Sequence, residues 1–380
     1  MAAVPAAGGP PIARLRLADF RNYSELVLEI GSRFVVLHGD NGAGKTNLLE
    51  AVSLLTPGRG LRRATYPEMA RAGGSGGFSV RGLLSLAHGE AVDALTLVQP
   101  EPGTAPQRRL RLDAVPARSV DDLLDHCRIL WLTPSMDGLF TGPAGDRRRF
   151  LDRLVLSLDP AHGRRSADYE RAMRSRNRLL AEDRRDASWL GAIETEMAGL
   201  GLAIALARVE TVERLRGLLA AREGTPFPAA GLDLGTGYPD LDLARPAGES
   251  EDEIAERLAR ARPLDRAAGR TLEGPHRGDL VVTHLDKAMP AGLASTGEQK
   301  ALLIGLVLAH AELVASTSGI APVLLLDEIA AHLDSGRRSA LFDILDRLGV
   351  QAFMTGTDRN LFEALEGGAQ MLTVSNGRIG

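Results

Sequence analysis

The chain has 380 residues, 44% of them hydrophobic, a formal net charge of −4 and one cysteine. That length supports a large core in two or three lobes, and the charge excludes a general polycation, so any nucleic-acid surface must be local. The lone Cys127 excludes an internal disulfide and a multi-cysteine metal site, and its apolar surroundings suit a buried structural thiol.

The first ten residues carry no basic region followed by an apolar core, so they read as a short disordered tail rather than a secretory signal. No apolar run looks long enough to span a bilayer, and a cytoplasmic protein without a membrane partner is expected. Residues 12–18 alternate like a half-buried strand, with Leu26 to Ile30 as its antiparallel neighbour. Between them Phe20-Arg21-Asn22-Tyr23 reads as a polar turn with two aromatic anchors. Arg33 to Leu37 is a short apolar run suited to a buried strand.

A phosphate-binding pattern, G-x-x-x-x-G-K-T, comes next: Gly39, Asp40, Asn41, Gly42, Ala43, Gly44, Lys45 and Thr46, followed by Asn47. Leu48, Leu49, Val52 and Leu55 then recur at helical spacing until Pro57-Gly58. Strand, glycine loop and helix stand in the order the motif requires. Glycines admit close backbone approach, and exposed N–H groups at the helix start face an anion. Lys45 would reach the terminal phosphates and the Thr46 hydroxyl would hold Mg²⁺. Only Lys45, Lys287 and Lys300 are lysines; 42 of the 45 basic residues are arginine. Against that bias Lys45 stands where a compact point charge is needed rather than a planar fork.

Gly58 to Arg63 is a basic loop and Gly73 to Gly77 a flexible turn. Phe78 to Leu86, Ala94 to Val98, Arg108 to Leu112 and Ile129 to Leu132 read as strands, the first three as a meander. From about Pro134 the texture turns helical, with 12 arginines against 8 acidic residues between Asp146 and Asp186. Expected helices include Arg147 to Leu158 and Ala167 to Leu180. A longer one has Trp189, Ile193, Met197, Leu200 and Ile204 on its apolar face, and Trp131 and Trp189 are expected in the core. Gly224 to Gly248 reads as a loop or small β excursion, and 251–260 as a charged helix. No sustained heptad pattern predicts an extended coiled coil. Arg147, Arg148 and Arg149 fit either a solvated helix face or salt-sensitive contact with nucleic-acid phosphates. His276 reads as a turn residue, and His162 and His310 have no metal-spaced partners.

The last third completes a nucleotide site. Val323 to Leu326 is an apolar run ending in Asp327-Glu328, as befits a central parallel strand whose carboxyl end faces ligand. Asp327 would assist Mg²⁺ and Glu328 would polarise an attacking water. Ser295-Thr296-Gly297-Glu298 heads a strongly apolar helix, a second anion-facing N-terminus. Lys45 and Asp327 lie 282 residues apart, so a large insertion must loop out of the sheet. Together these features match the ABC class, in which the signature serine of one subunit contacts the γ-phosphate held by the other. Ser295, Gly297 and, in the loop after the acids, Asp334 are assigned to nucleotide contact on that basis. The fold class is therefore α/β: an ABC-type P-loop ATPase head whose discontinuous first lobe (1–133 and 291–380) carries an antiparallel meander, plus a helical second lobe (134–290).

Four segments resemble the RecF family of bacterial DNA-repair ATPases, which are similar to SMC head domains without the long coiled coil. They are Leu17 to Tyr23 with the loop running into Thr46 to Ala51, Gly142-Pro143 with Arg147 to Asp152, Gly274 to Leu280, and Ser295 to Lys300 with Asp327-Glu328. The resemblance implies ATP and Mg²⁺ as cofactors, an ATP-dependent homodimer, weak DNA-stimulated hydrolysis, and binding to single-stranded and duplex DNA at gaps and junctions. It also implies RecR and RecO as partners in recombinase loading and fork restart, with cytoplasmic, nucleoid-associated localisation. Two other classes share parts of this pattern, transporter motor subunits and SMC-like chromosome proteins. The first usually carries a glutamine after the strand ending at Leu132; here Thr133-Pro134-Ser135-Met136-Asp137 stands instead. The second needs coiled coil. The usual switch histidine is also missing, with Thr355 in that region, and the signature lacks its second glycine.

Overall fold

The computed structural model describes residues 10–86, 89–100, 103–182, 186–221 and 225–380; the expected tail lies, except for Pro10, outside them. The chain forms two compact units. One comprises the described parts of Met1–Asp137, Gly224–Pro228 and Thr296–Gly380, the other those of Gly138–Glu223 and Ala229–Ser295. The divisions fall a few residues beyond Thr133 and Pro290, and residues 225–228 return to the first unit from within the expected second lobe.

The first unit holds two six-stranded sheets. One is antiparallel: Tyr23–Glu29, Ile12–Phe20, Phe78–Ser85, Ala91–Val98, Arg108–Leu112 and Val115–Pro116, in spatial order. Inward residues alternate along its longer strands, Leu15 and Leu17 on one and Phe78, Val80 and Leu84 on another, as a sheet with one wet face requires. The other is parallel apart from its last short strand: Arg378–Ile379, Ala369–Ser375, Phe34–His38, Gln351–Gly356, Val323–Leu326 and Ile129–Leu132. Val323–Leu326, Ile129–Leu132 and Gln351–Gly356 are buried at every residue; the first two are unbroken apolar runs, and the third also buries Gln351 and Thr355. The helix Lys45–Ser53 lies in the shared core, where Leu48, Leu49 and Val52 join residues of both sheets. Beyond that helix the Arg108 guanidinium donates to the carbonyl of Leu54, its C-cap, and to those of Thr56 and Gly58 in the turn that follows. Cys127 is buried, and burial pushes its thiol up to about 12, as a structural cysteine should be.

This order brings the site together. Phe34–His38 leads into the glycine loop and Val323–Leu326 ends at Asp327. Only Gln351–Gly356 lies between them, so it contributes Thr355 to the same end of the sheet.

The second unit is built from helices Ala144–Leu158, His162–Ala181, Ala187–Ala220 and Ala247–Ala268 with a three-stranded sheet, Ala230–Gly235, Asp279–His284 and Met289–Pro290. The β excursion expected within residues 224–248 is thus the Ala230–Gly235 strand, paired antiparallel with Asp279–His284. Arg176, fully buried, is fixed by Glu194 at 2.9 Å, Asp265 at 2.6 Å, Thr271 at 2.9 Å and the Leu258 carbonyl at 2.7 Å. Arg262 takes the second oxygen of Glu194, so two cations and two carboxylates balance.

Two expectations need correcting. Trp189 is not core but 62% exposed, because the buried stripe of Ala187–Ala220 starts at the adjacent Leu190 and runs through Glu194 and Met197. Trp131 is buried as expected. Two helices, Ala187–Ala220 and Thr296–Ser318, are long and apolar enough to cross a membrane by length and composition. The second is buried almost all round, as a core helix of a globular protein also is.

Candidate functional site

The glycine loop adopts conformations that its sequence dictates. Gly39 has φ 142° and Gly44 φ 116°, both left-handed. A Cβ on Gly39 would lie 2.3 Å from the Val374 carbonyl oxygen, and one on Gly44 2.5 Å from Asn22 Nδ2. Lys45 is buried and folds back over the loop, its Nζ donating to the carbonyls of Gly39 at 2.6 Å and Asp40 at 2.8 Å. Asn41, Gly42, Gly44, Lys45, Thr46, Asn47, Arg62 and Glu328 line a cavity of about 110 Å³.

The two acids meet this loop as the strand order requires. The Thr46 hydroxyl donates to Asp327 Oδ1 at 3.0 Å, and the Thr355 hydroxyl donates to the same oxygen at 2.8 Å. Burial moves the Asp327 carboxyl upward from its ordinary value, and the Glu328 charge adds to this; the two hydroxyls work against it. Glu328 has φ 55°, a left-handed backbone that is costly for a side-chain-bearing residue, and its N–H donates to Thr355 Oγ1 at 2.9 Å. Thr355 thereby links the carboxylate of one acid to the backbone of the other.

Gly297 is exposed in the first turn of Thr296–Ser318, and Asp334 caps Ser335–Arg347 by accepting the Arg337 N–H at 2.8 Å. Neither lines the cavity. Ser295 is exposed and closes the second unit, one residue before its helix. Where the ABC glutamine is missing, Asp137 pairs with Lys300 of that helix at 3.1 Å.

Arg147 makes a two-pronged ion pair with Asp279, both contacts 2.8 Å, and donates to the Gly142 carbonyl. Arg148 donates to the Gly278 carbonyl at 2.7 Å, and Arg149 pairs with Asp146. The segments Gly142 to Asp152 and Gly274 to Leu280 are therefore joined by these arginines. His276 donates from Nε2 to the Thr271 carbonyl at 3.0 Å, and its Nδ1 bonds the Tyr169 hydroxyl at 3.1 Å, the setting of a structural turn. Among the described residues no cluster of His, Cys, Asp and Glu could hold a metal by itself.

Several site residues escaped the sequence reading. Arg62 reaches the cavity from the basic loop and donates to Asn47 at 2.7 Å and Glu50 at 3.2 Å. Glu50 is fully buried and also takes a two-pronged pair from Arg21. Asn22 and Tyr23 contact the glycine loop directly. The one sequence signal was a glutamate on an otherwise apolar helix face facing a turn that carries an arginine.

Residues 11–379 match the RecF/RecN/SMC N terminal domain family. The DNA replication and repair protein RecF of Rhizobium leguminosarum bv. trifolii is 59% identical over 369 residues, covering 97% of this chain and 98% of the relative. This chain belongs to the RecF family. The RecF protein of Rhizobium rhizogenes is 60% identical over 369 residues, with 97% and 98% coverage. That of Mesorhizobium japonicum is 55% identical over 372 residues, covering 97% of each.

Solved structures agree in fold. The recombination mediator protein RecF with ATP, of the RecFOR pathway, superposes with TM-score 0.84 at 22% identity, covering 98% of this chain and 99% of that one. The Smc head domain of Pyrococcus furiosus gives 0.54 at 16%, covering 97% and 95%. The RecF-family chain thus has the expected α/β ABC-type head.

Proposed function

We propose that this chain is an ATP-dependent DNA-binding switch of DNA repair and replication. The observation that carries the reading is the convergence of Lys45, Thr46, Asp327, Thr355 and Glu328 on one end of the parallel sheet. The relatives' description as DNA replication and repair proteins, and the neighbour solved with ATP, support the same reading.

In this proposal Gly39 to Asn47 wrap the phosphates. Lys45 exchanges its two carbonyl partners for phosphate oxygens, an exchange of neutral for charge-assisted hydrogen bonds. The Thr46 hydroxyl and Asp327 carboxylate are hard oxygen donors 3.0 Å apart, a set that suits Mg²⁺. Mg²⁺ held there would neutralise charge on the phosphate oxygens. Glu328, presented by its left-handed backbone, orients the attacking water. Ser295, Gly297 and Asp334 serve the nucleotide of a second subunit, which accords with the exposure of all three. ATP thus drives dimerisation on DNA, and slow hydrolysis releases it. RecO and RecR assist in loading recombinase at gaps. The partners of Arg147 and Arg148 favour a structural role for those two, leaving Arg149, the most exposed, as the candidate for DNA phosphate contact.

Sedimentation velocity of the Glu328→Gln variant with ATP, with and without gapped duplex DNA, tests the proposal. A nucleotide-dependent dimer is expected. A monomer at saturating ATP would falsify the switch.

A further inference from the structure

The turn between Ile12–Phe20 and Tyr23–Glu29 belongs to the antiparallel sheet, yet the side chains of Asn22 and the adjoining Tyr23 end on the glycine loop. Asn22 Nδ2 donates to the Ala43 carbonyl at 3.1 Å, and Asn22 Oδ1 accepts from Asn47 Nδ2 at 2.8 Å. The Tyr23 hydroxyl donates to the Gly44 carbonyl at 3.1 Å. Gly377 supplies a second donor to Ala43, its N–H at 3.0 Å, and Leu48 N–H a second to Gly44 at 3.1 Å. Space confirms the closeness: a Cβ on Gly377 would stand 2.5 Å from the Asn22 carbonyl oxygen.

A trans peptide is planar, so a carbonyl fixed in one direction sends the following N–H the opposite way. Holding the Ala43 and Gly44 carbonyls toward the turn therefore aims the Gly44 and Lys45 N–H groups away from it. Both residues line the cavity. An anion site of this kind gains from donors that are already aimed, because none has to be reorganised when the ligand arrives. The Asn22 amide has one orientation that satisfies both neighbours, since the Ala43 carbonyl only accepts and Asn47 Nδ2 only donates.

We infer that Asn22, with Tyr23, is a positioning residue for the phosphate loop: the antiparallel sheet's first turn sets the direction of the loop's amides and so the affinity for a nucleoside triphosphate. This rests on the proposed nucleotide site. Neither side chain lines the cavity, so both act through the loop.

The test uses isosteric variants of the full chain. Asn22→Asp keeps shape and the Asn47 contact but places an acceptor against the Ala43 carbonyl. Tyr23→Phe keeps the ring and removes the hydroxyl. Dissociation constants for a fluorescent, non-hydrolysable ATP analogue are measured with Mg²⁺, beside the melting temperature without nucleotide. Lys45→Ala serves as the control for the site itself. Asn22→Asp is expected to weaken binding about tenfold and Tyr23→Phe about threefold, with melting temperatures near that of the unsubstituted chain. A packing role would leave both constants unchanged. Unchanged binding in both variants, while Lys45→Ala has lost it, overturns this inference alone. No binding by the unsubstituted chain overturns the nucleotide reading and this inference with it. If Asn22→Asp does not fold, Tyr23→Phe decides: unchanged affinity is against, a loss in favour.

Discussion

The Thr355 hydroxyl donates to Asp327 Oδ1 at 2.8 Å across two adjacent parallel strands. Because Thr355 Oγ1 also accepts the Glu328 N–H, one side chain sets both acids that end the neighbouring strand. Thr355→Val removes both bonds while nearly keeping shape. It should cost about 1–3 kcal/mol of stability, since the Glu328 N–H loses its partner, and should lower hydrolysis more than nucleotide affinity. Urea unfolding and single-turnover ATPase measure the two effects; a variant with wild-type hydrolysis contradicts the role given to Thr355.

Lys45 holds two loop carbonyls at 2.6 and 2.8 Å, so its ammonium is already centred on the loop. Arginine's planar fork does not fit that space. Lys45→Arg should weaken ATP binding roughly tenfold to a hundredfold and abolish nucleotide-driven assembly. Calorimetric titration and sedimentation would show it, and retained assembly would count against the site.

Arg176 lies in the second unit's core with no exposed surface and carboxylates on two sides. Arg176→Ala leaves Asp265 without its cation and Glu194 with Arg262 alone. A loss of about 3–5 kcal/mol is expected, because an uncompensated buried charge remains. Chemical denaturation followed by circular dichroism should detect it; a change under about 1 kcal/mol would mean the cluster tolerates rearrangement.

His276 is held below its usual value, chiefly by burial and further by Arg277 and Arg148, while the Thr271 carbonyl opposes this. The folded ring stays neutral where the unfolded ring already takes a proton. Its contribution is therefore complete above the unfolded value, about 6.5, and is lost as pH falls through it toward the folded value. Urea midpoints of the unsubstituted chain should drop more between pH 7.5 and 5.5 than those of His276→Gln. Parallel profiles would exclude a part for this ring.

Leu49 is fully buried where the phosphate-loop helix joins the common core of both sheets. Leu49→Ala should cost about 2–5 kcal/mol by transfer and cavity together, and thermal unfolding would read it directly.

The elements of the site were legible because their chemistry is local. A glycine loop between an apolar strand and an amphipathic helix, and an apolar run ending in Asp327-Glu328, each declare a backbone conformation within a dozen residues. The strands and helices followed from periodicity in the same way. Trp189 was misjudged because the buried stripe runs through its neighbour Leu190, and one residue is about 100° round a helix. Asn22, Arg62 and the Arg176 cluster were invisible as a set, since their partners lie 12 to 95 residues away.

By itself, then, the chain's order of residues determined that a phosphate loop and an acidic strand end exist, because hydrophobic period and glycine placement act over short distances. Strand order was decided only in three dimensions. Setting Gln351–Gly356 between Phe34–His38 and Val323–Leu326 is what delivers Thr355 to Asp327, and folding the first hairpin against the loop is what turns Asn22 from a turn residue into its support. Such pairings depend on which apolar faces bury one another across the whole chain, and no single segment carries that information.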